Sequence, residues 1–156
     1  MSVGIELAKQ FEGLHRVVQR SPSFLVSPYV CPAGFWTIGY GHLCKSDHPM
    51  ITSEEAEEYL RQDLELATRQ TLHLCPVLAF EPEHRLASIV DFTFNLGSGR
   101  LKASTLRRVL NDQLWGRVPA ELSKWVYGGG RKLPGLILRR AAEIRLFTTG
   151  LADPSD

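Results

Sequence analysis

The run CPAGFWTIGYGH, from Cys31 to His42, constrains this chain more than any other stretch. Its opening, Pro32, Ala33 and Gly34, is turn chemistry, while Phe35, Thr37, Ile38 and Tyr40 are strand formers. Gly39 and Gly41 alternate with larger residues, which lets another backbone or a ligand approach closely. The run predicts a turn followed by a short strand that presents Thr37 on one face. Upstream, Val3, Ile5, Leu7, Ala8 and Phe11 form a helical stripe behind Ser2 as N-cap, and Gly13 directly after Glu12 is a stop signal. Glu12 then falls in the last turn, where the helix dipole disfavours a negative charge. An acid at a helix end facing a Thr-bearing hairpin predicts a hydrolytic cleft.

Residues 14–30 hold VV, FLV and YV pieces broken by Pro22 and Pro28, which predict strand and loop, with His15 and Arg16 at the cleft rim. Leu43–Met50 is expected to be a loop. Thr52 and Glu55 then make a capping box, and Ala56, Tyr59, Leu60, Leu64 and Ala67 recur at helical spacing. A helix over Ser53–Leu72 would be ~30 Å long, enough to connect two lobes. Pro76 interrupts the chain, and Leu86, Ile89, Val90, Phe92 and Phe94 predict a buried helix to Leu96, stopped at residues 97–99. Helices are expected over Lys102–Leu110, Pro119–Tyr127 and Leu136–Phe147, with a flexible break at Gly128–Gly130 and a frayed tail from Thr148. A small hairpin region before a helical remainder is an α+β pattern.

At 156 residues, with 44% hydrophobic and 22% charged side chains, the chain fits one globular domain and not a disordered or fibrous class. No apolar run reaches the ~20 residues of a transmembrane helix, so stable membrane insertion is not expected. MSVGIELAKQFEG lacks a basic region followed by a long apolar segment, so neither signal peptide nor anchor is expected. Cys31, Cys44 and Cys75 have neither metal-ligand spacing nor an even disulfide framework. No cofactor or metal is expected, and no nucleic acid. Charge is uneven: residues 1–99 hold 7 Lys/Arg against 12 Asp/Glu, and residues 100–156 hold 11 against 5. The basic half suits either an anionic polymer or a solvated helical face.

Glu12–Gly13, Tyr29, Cys31 and TIGYGH at 37–42 together resemble the phage-type lysozymes, the endolysins of T-even and lambdoid phages. In that family a Glu ends the first helix, and an Asp or Cys followed by a Thr lies on the next hairpin. The Cys31 to Thr37 interval matches. Glu12 and Cys31 are farther apart than the family has them, which implies an insertion within His15–Pro28. The resemblance covers nearly the whole chain. It implies an α+β, lysozyme-like fold, with a small β-hairpin lobe and a larger helical lobe joined by a long helix, and the cleft between them. The chain would be a single catalytic domain over 1–156: an N-terminal lobe over 13–52, a connecting helix over 53–72, and a helical lobe over 76–147 together with the first helix.

The implied function is hydrolysis of the β-1,4 bond between N-acetylmuramic acid and N-acetylglucosamine of peptidoglycan, leading to host lysis. Glu12 would be the general acid, and Cys31 and Thr37 would hold the attacking water. By the same resemblance, Leu43, Phe94, Asn95 and Thr105 would line the substrate site. His42 would pair structurally with Asp63, and one of Arg139 and Arg140, which sequence does not separate, would approach the acids of the first helix. Glycan strands are the expected partner of a monomer made in the host cytoplasm, acting at the wall after a holin-like protein permeabilises the membrane. Two other readings use the same residues. One is a cysteine peptidase on stem peptides, with Cys31 as nucleophile and His42 as base. The other is an inactive wall-binding protein.

Overall fold

The computed structural model describes residues 2–19 and 25–151. Pro22 and Phe24, within the expected insertion, and the tail beyond Leu151 lie outside the described residues. Two compact units share the chain: Ala8–Asp63, and Met1–Leu7 with Leu64–Asp156.

The first unit carries the sheets. Helix α1 (Ser2–Glu12) contributes its last residues and stops at Gly13, whose φ of +65° is readily adopted by glycine and whose N–H returns to the Lys9 carbonyl at 3.0 Å. Strands β1 (Val17–Gln19), β2 (Leu25–Val26) and β6 (Ile51–Thr52) form one antiparallel sheet in the order β1-β2-β6. Strands β3 (Tyr29–Val30), β4 (Trp36–Ile38) and β5 (His42–Leu43) form another, in the order β3-β4-β5. Val26, Ile38, Ile51 and Ala56 are buried together beneath Leu14, Val17, Tyr40, Cys44 and Tyr59. The expected strand is shorter than the sequence suggests. It ends at Ile38, because Gly39 turns the chain with φ +64° and brings it against α2 (Ser53–Leu74). A Cβ at Gly39 would lie 2.9 Å from the Ala56 Cβ. Leu43, expected in a loop, pairs with Thr37 instead.

Helix α2 begins at the expected capping box: Thr52 N–H donates to Glu55 Oε2 at 2.8 Å, and Glu55 N–H to Thr52 Oγ1 at 3.2 Å. Its apolar stripe buries Ala56, Leu60, Leu64 and Ala67. In the second unit, α3 (Glu83–Leu96) packs on α7 (Pro134–Thr149), and around them lie α4 (Ser98–Ala103), α5 (Thr105–Asn111) and α6 (Val118–Leu122). Leu74, Leu78, Ile89, Phe92, Leu101, Leu106, Leu110, Leu122 and Phe147 are among the residues that fill its core.

Four expectations need correction here. Lys102–Leu110 is two helices, because Ser104 is extended (φ −87°, ψ 154°) and its hydroxyl accepts from Arg107 N–H to cap α5. The helix expected over Pro119–Tyr127 stops at Leu122, and Tyr127 begins a strand, β7 (Tyr127–Gly128), paired with β8 (Arg131–Lys132). Gly128–Gly130 is therefore part of a hairpin and not a loose break, with Gly129 and Gly130 both at positive φ. Pro134 starts α7 two residues earlier than expected, at the position where proline's missing N–H costs nothing, and the helix carries Thr148 and Thr149 before Gly150 ends it.

Candidate active site

Glu12 is placed by the end of its helix. After Gly13, Leu14 turns into the sheet unit's core and His15 turns back, donating from Nε2 to the Glu12 carbonyl at 2.6 Å. Arg16 then takes a left-handed φ of +56°, and its carbonyl accepts from Ser27 N–H at 3.1 Å. The Glu12 carboxyl lies over Gly41, where a Cβ would come within 3.2 Å of Oε2. Gly41 has φ +90°, so space and backbone both call for glycine there.

Cys31 opens the tight turn into β4. Its N–H donates to Phe35 O at 2.9 Å, and Gly34 N–H donates to Cys31 O at 2.8 Å. The N–H of Phe35, with those of Ala33 and Gly34, holds the Cys31 thiol below its ordinary pKa against partial desolvation. Burial does the opposite elsewhere: it raises Cys44 and pushes Cys75 up to about 11 despite Arg107 nearby. Cys31 is thus the thiol tuned towards its anion.

Thr37 is 2% exposed, and its hydroxyl donates to Phe35 O at 2.9 Å. That leaves oxygen lone pairs as what Thr37 offers to a ligand. The hydroxyl also lies near the Cys31 sulfur, and its one hydrogen serves either the carbonyl or the thiol. The Phe35 carbonyl takes it, at 2.9 Å. Thr37 sits in a cross-strand row, opposite Tyr29 on one side and Leu43 on the other. Cys31 is two residues along from Tyr29, so it shares this face. Phe35, two residues before Thr37 and on its face, is 62% exposed, and Trp36, on the other face, is 42% exposed.

His42 pairs with Ile38, so it stands on the opposite face from Thr37. Its Nδ1 lies 2.9 and 3.1 Å from the Asp63 carboxylate oxygens, and its ring stacks on Tyr59 at 4.5 Å. The pair thus ties β5 to α2. His42 is turned away from Cys31's face, which is the wrong geometry for a base serving a cysteine nucleophile.

Phe94, Asn95 and Thr105 belong to the helical unit. Thr105, exposed at the start of α5, accepts from Arg108 at 3.2 Å. The structure gives the two arginines different partners. Arg139 makes a two-pronged bond to Asp91 at 2.8 and 2.9 Å and lies over Phe94. Arg140 donates to Glu143 at 2.5 Å and to Asn95 at 2.9 Å, over Phe92. Burial, opposed by Arg140, raises the Glu143 carboxyl well above the ordinary range. Sequence reasoning passed over Tyr29 as a site residue, although its two-residue spacing from Cys31 puts the pair on one face of a strand.

Comparison with known proteins bears on family and fold. The family model described as phage lysozyme matches residues 9–143. The chain is 36% identical over 149 residues to an endolysin of Bacillus phage B103, covering 94% of this chain and 53% of that protein, so it spans about half that relative's length. It is 35% identical over 149 residues to an endolysin of Acyrthosiphon pisum secondary endosymbiont phage 1, covering 92% and 94%. The muramidase domain of SpmX from Asticaccaulis excentricus superposes with a TM-score of 0.78 at 29% identity, covering 96% of this chain and 97% of that one. The fold is lysozyme-like.

Proposed function

This chain belongs to the phage lysozyme family, and on that premise we propose that it is an endolysin that cleaves the β-1,4 bond between N-acetylmuramic acid and N-acetylglucosamine. One observation carries the reading: the Glu12 carboxyl lies over Gly41 of the same hairpin whose face presents Cys31 and Thr37. A glycosidase of this kind needs an acid for the leaving oxygen and a second group that manages water. Glu12 gives its proton to the glycosidic oxygen as the bond to the anomeric carbon breaks. A water held by Thr37 and Cys31 attacks from the other side of the sugar and inverts that carbon. The lowered thiol supports Cys31 as the negative partner where a carboxylate would otherwise stand.

Leu43, in the row with Thr37, and the exposed ring of Phe35, two residues from Thr37 on the same face, offer apolar surface to a sugar. Phe94, Asn95 and Thr105, in the helical unit, are proposed as further substrate-binding residues. His42–Asp63 and the arginines Arg139 and Arg140 are structural in this reading. No helix of the described residues is long and apolar enough to cross a membrane. A separate permeabilising, holin-like partner would bring the monomer to the wall.

The test is digestion of purified peptidoglycan, and turbidity of outer-membrane-permeabilised cells, with wild type and Glu12→Gln. Wild type should release new reducing sugars. The amide variant, unable to donate a proton as an acid does, should lose ~10²–10⁴-fold in rate while keeping its fold. Retention of more than about a tenth of the activity would move the acid elsewhere. New amino groups in place of reducing ends would indicate peptide cleavage, and binding without soluble products would indicate an inactive wall-binding protein.

A further inference from the structure

Tyr29 is held beside the proposed reaction centre by everything except its hydroxyl. Its Cα is the direct cross-strand partner of Thr37, which places the two side chains on one face about 4.5–5.5 Å apart at Cβ. Cys31 follows two residues later on that face, where its N–H to Phe35 O continues the pairing. On the other side, the His15 ring packs on the Tyr29 ring at 5.1 Å and 48°, while His15 Nε2–H holds the Glu12 carbonyl. Strand register and ring packing thus fix the phenol between the helix end and the hairpin. Among the described residues its hydroxyl makes no hydrogen bond to the protein. A phenol hydroxyl donates and accepts, so it can bond a group that arrives with substrate. Burial, and then the charges of Glu12, Cys31 and Cys44, keep the phenol neutral and therefore a donor.

We propose that the Tyr29 hydroxyl is a catalytic hydrogen-bond donor that holds the attacking water from a third side; the inference rests on the muramidase reading. The valences of the water close on this arrangement. Thr37 spends its hydrogen on Phe35 O, so its oxygen accepts one water hydrogen. The Cys31 sulfur accepts the second. The water oxygen keeps two lone pairs: one accepts from Tyr29 O–H, and the other points at the anomeric carbon. In the step, the water oxygen bonds to that carbon as the bond to the leaving sugar oxygen breaks. The leaving oxygen takes the Glu12 proton, and one water proton passes to the Cys31 thiolate. Tyr29 keeps its proton throughout and acts by orientation.

The experiment is steady-state release of reducing ends from soluble peptidoglycan by wild type, Tyr29→Phe, Cys31→Ala and the double variant, each with a thermal melt. Tyr29→Phe removes one oxygen and leaves the His15 packing. Its kcat should fall about 10–100-fold, the scale of one hydrogen bond to a reacting group. KM should stay within a factor of about two and the melting temperature should be unchanged. The double variant should lose less than the product of the single losses, because both groups act on one water. A kcat for Tyr29→Phe near wild type, a loss that tracks a lowered melting temperature, or fully multiplicative losses would each overturn the proposal. If wild type itself frees no reducing ends, the muramidase reading fails and the Tyr29 role fails with it. If wild type frees them and Tyr29→Phe is unimpaired, only the Tyr29 role fails.

Discussion

At the scale of single residues, Cys31 separates the possible chemistries. A thiol is normally a weak base at neutral pH, and only its anion serves as an acceptor or nucleophile. Here the Phe35 N–H and its neighbours lower the thiol, and the turn that supplies those N–H groups is the one Gly34 makes possible at φ +88°. If Cys31 supplies negative charge to the water, a carboxylate should serve at least as well. Cys31→Asp should keep substantial activity, Cys31→Ser should fall between, and Cys31→Ala should lose most of it. A thiol-blocking reagent should inhibit wild type and spare Cys31→Asp, since Cys44 and Cys75 are both raised away from reactivity. An inactive Cys31→Asp with stoichiometric trapping of wild type would make Cys31 a covalent nucleophile. Full activity of Cys31→Ala would remove it from the site.

At the scale of elements, two acid–base pairs do different work, one joining β5 to α2 and one inside α7. His42–Asp63 pins β5 to α2 with both side chains just over a quarter exposed, at 29% and 28%. Removing either partner should destabilise the chain by about 1–2 kcal/mol before it harms chemistry, and a double-mutant cycle by urea melting should show coupling. Additive losses would mean that the pair is incidental. The Arg140–Glu143 pair is 1% and 0% exposed, and Glu143 Oε2 has no hydrogen-bond partner among the described residues. Burial raises the Glu143 carboxyl, so the folded chain retains a proton that the unfolded chain has given up. Its contribution to stability is fully present below the ordinary carboxylate range. It is lost as pH rises from there through the raised folded value. Glu143→Gln removes that titration while leaving an oxygen for Arg140. Its stability relative to wild type should therefore improve as pH rises across that window, and a difference that does not vary with pH would refute the assignment. Both His42 and Asp63 were legible as a pair only through family resemblance, because nothing in a local pattern links residues so far apart in sequence. The Asp91 partner of Arg139 was not legible, since two adjacent basic residues look alike until α3 packs on α7, whereas Glu143 stands three residues from Arg140 on the same helix, a spacing local pattern does offer.

On the scale of the whole molecule, what sequence revealed was what local chemistry controls. Gly13, the Thr52–Glu55 box and the spacing of Ala56, Leu60 and Leu64 each dictate a helix end or face, and each holds in the structure. The misread segments were those in which a single side chain redirects the backbone. Ser104 caps α5 inside the helix expected over Lys102–Leu110, and the helix expected over Pro119–Tyr127 ends at Leu122, ahead of the hairpin that Tyr127 begins. The same contrast between long helices and short strands predicts unequal local stability. The sheet unit buries Val26, Ile38, Ile51 and Ala56 under strands only two or three residues long. The helical unit buries a larger set, from Leu74 to Phe147, between helices that include the 16-residue α7. Each fully buried aliphatic or aromatic side chain contributes about 1.5–3 kcal/mol as an upper estimate, so the smaller core has less to resist opening. Native-state hydrogen exchange should therefore show the Ile38 and Val26 amides exchanging through a sub-global opening, well before those of Phe92 and Leu146. Added denaturant should merge the two classes only near the global transition. Equal protection of both sets in water would show that the chain opens as one cooperative unit, and the smaller core would then draw support that its own contacts do not supply.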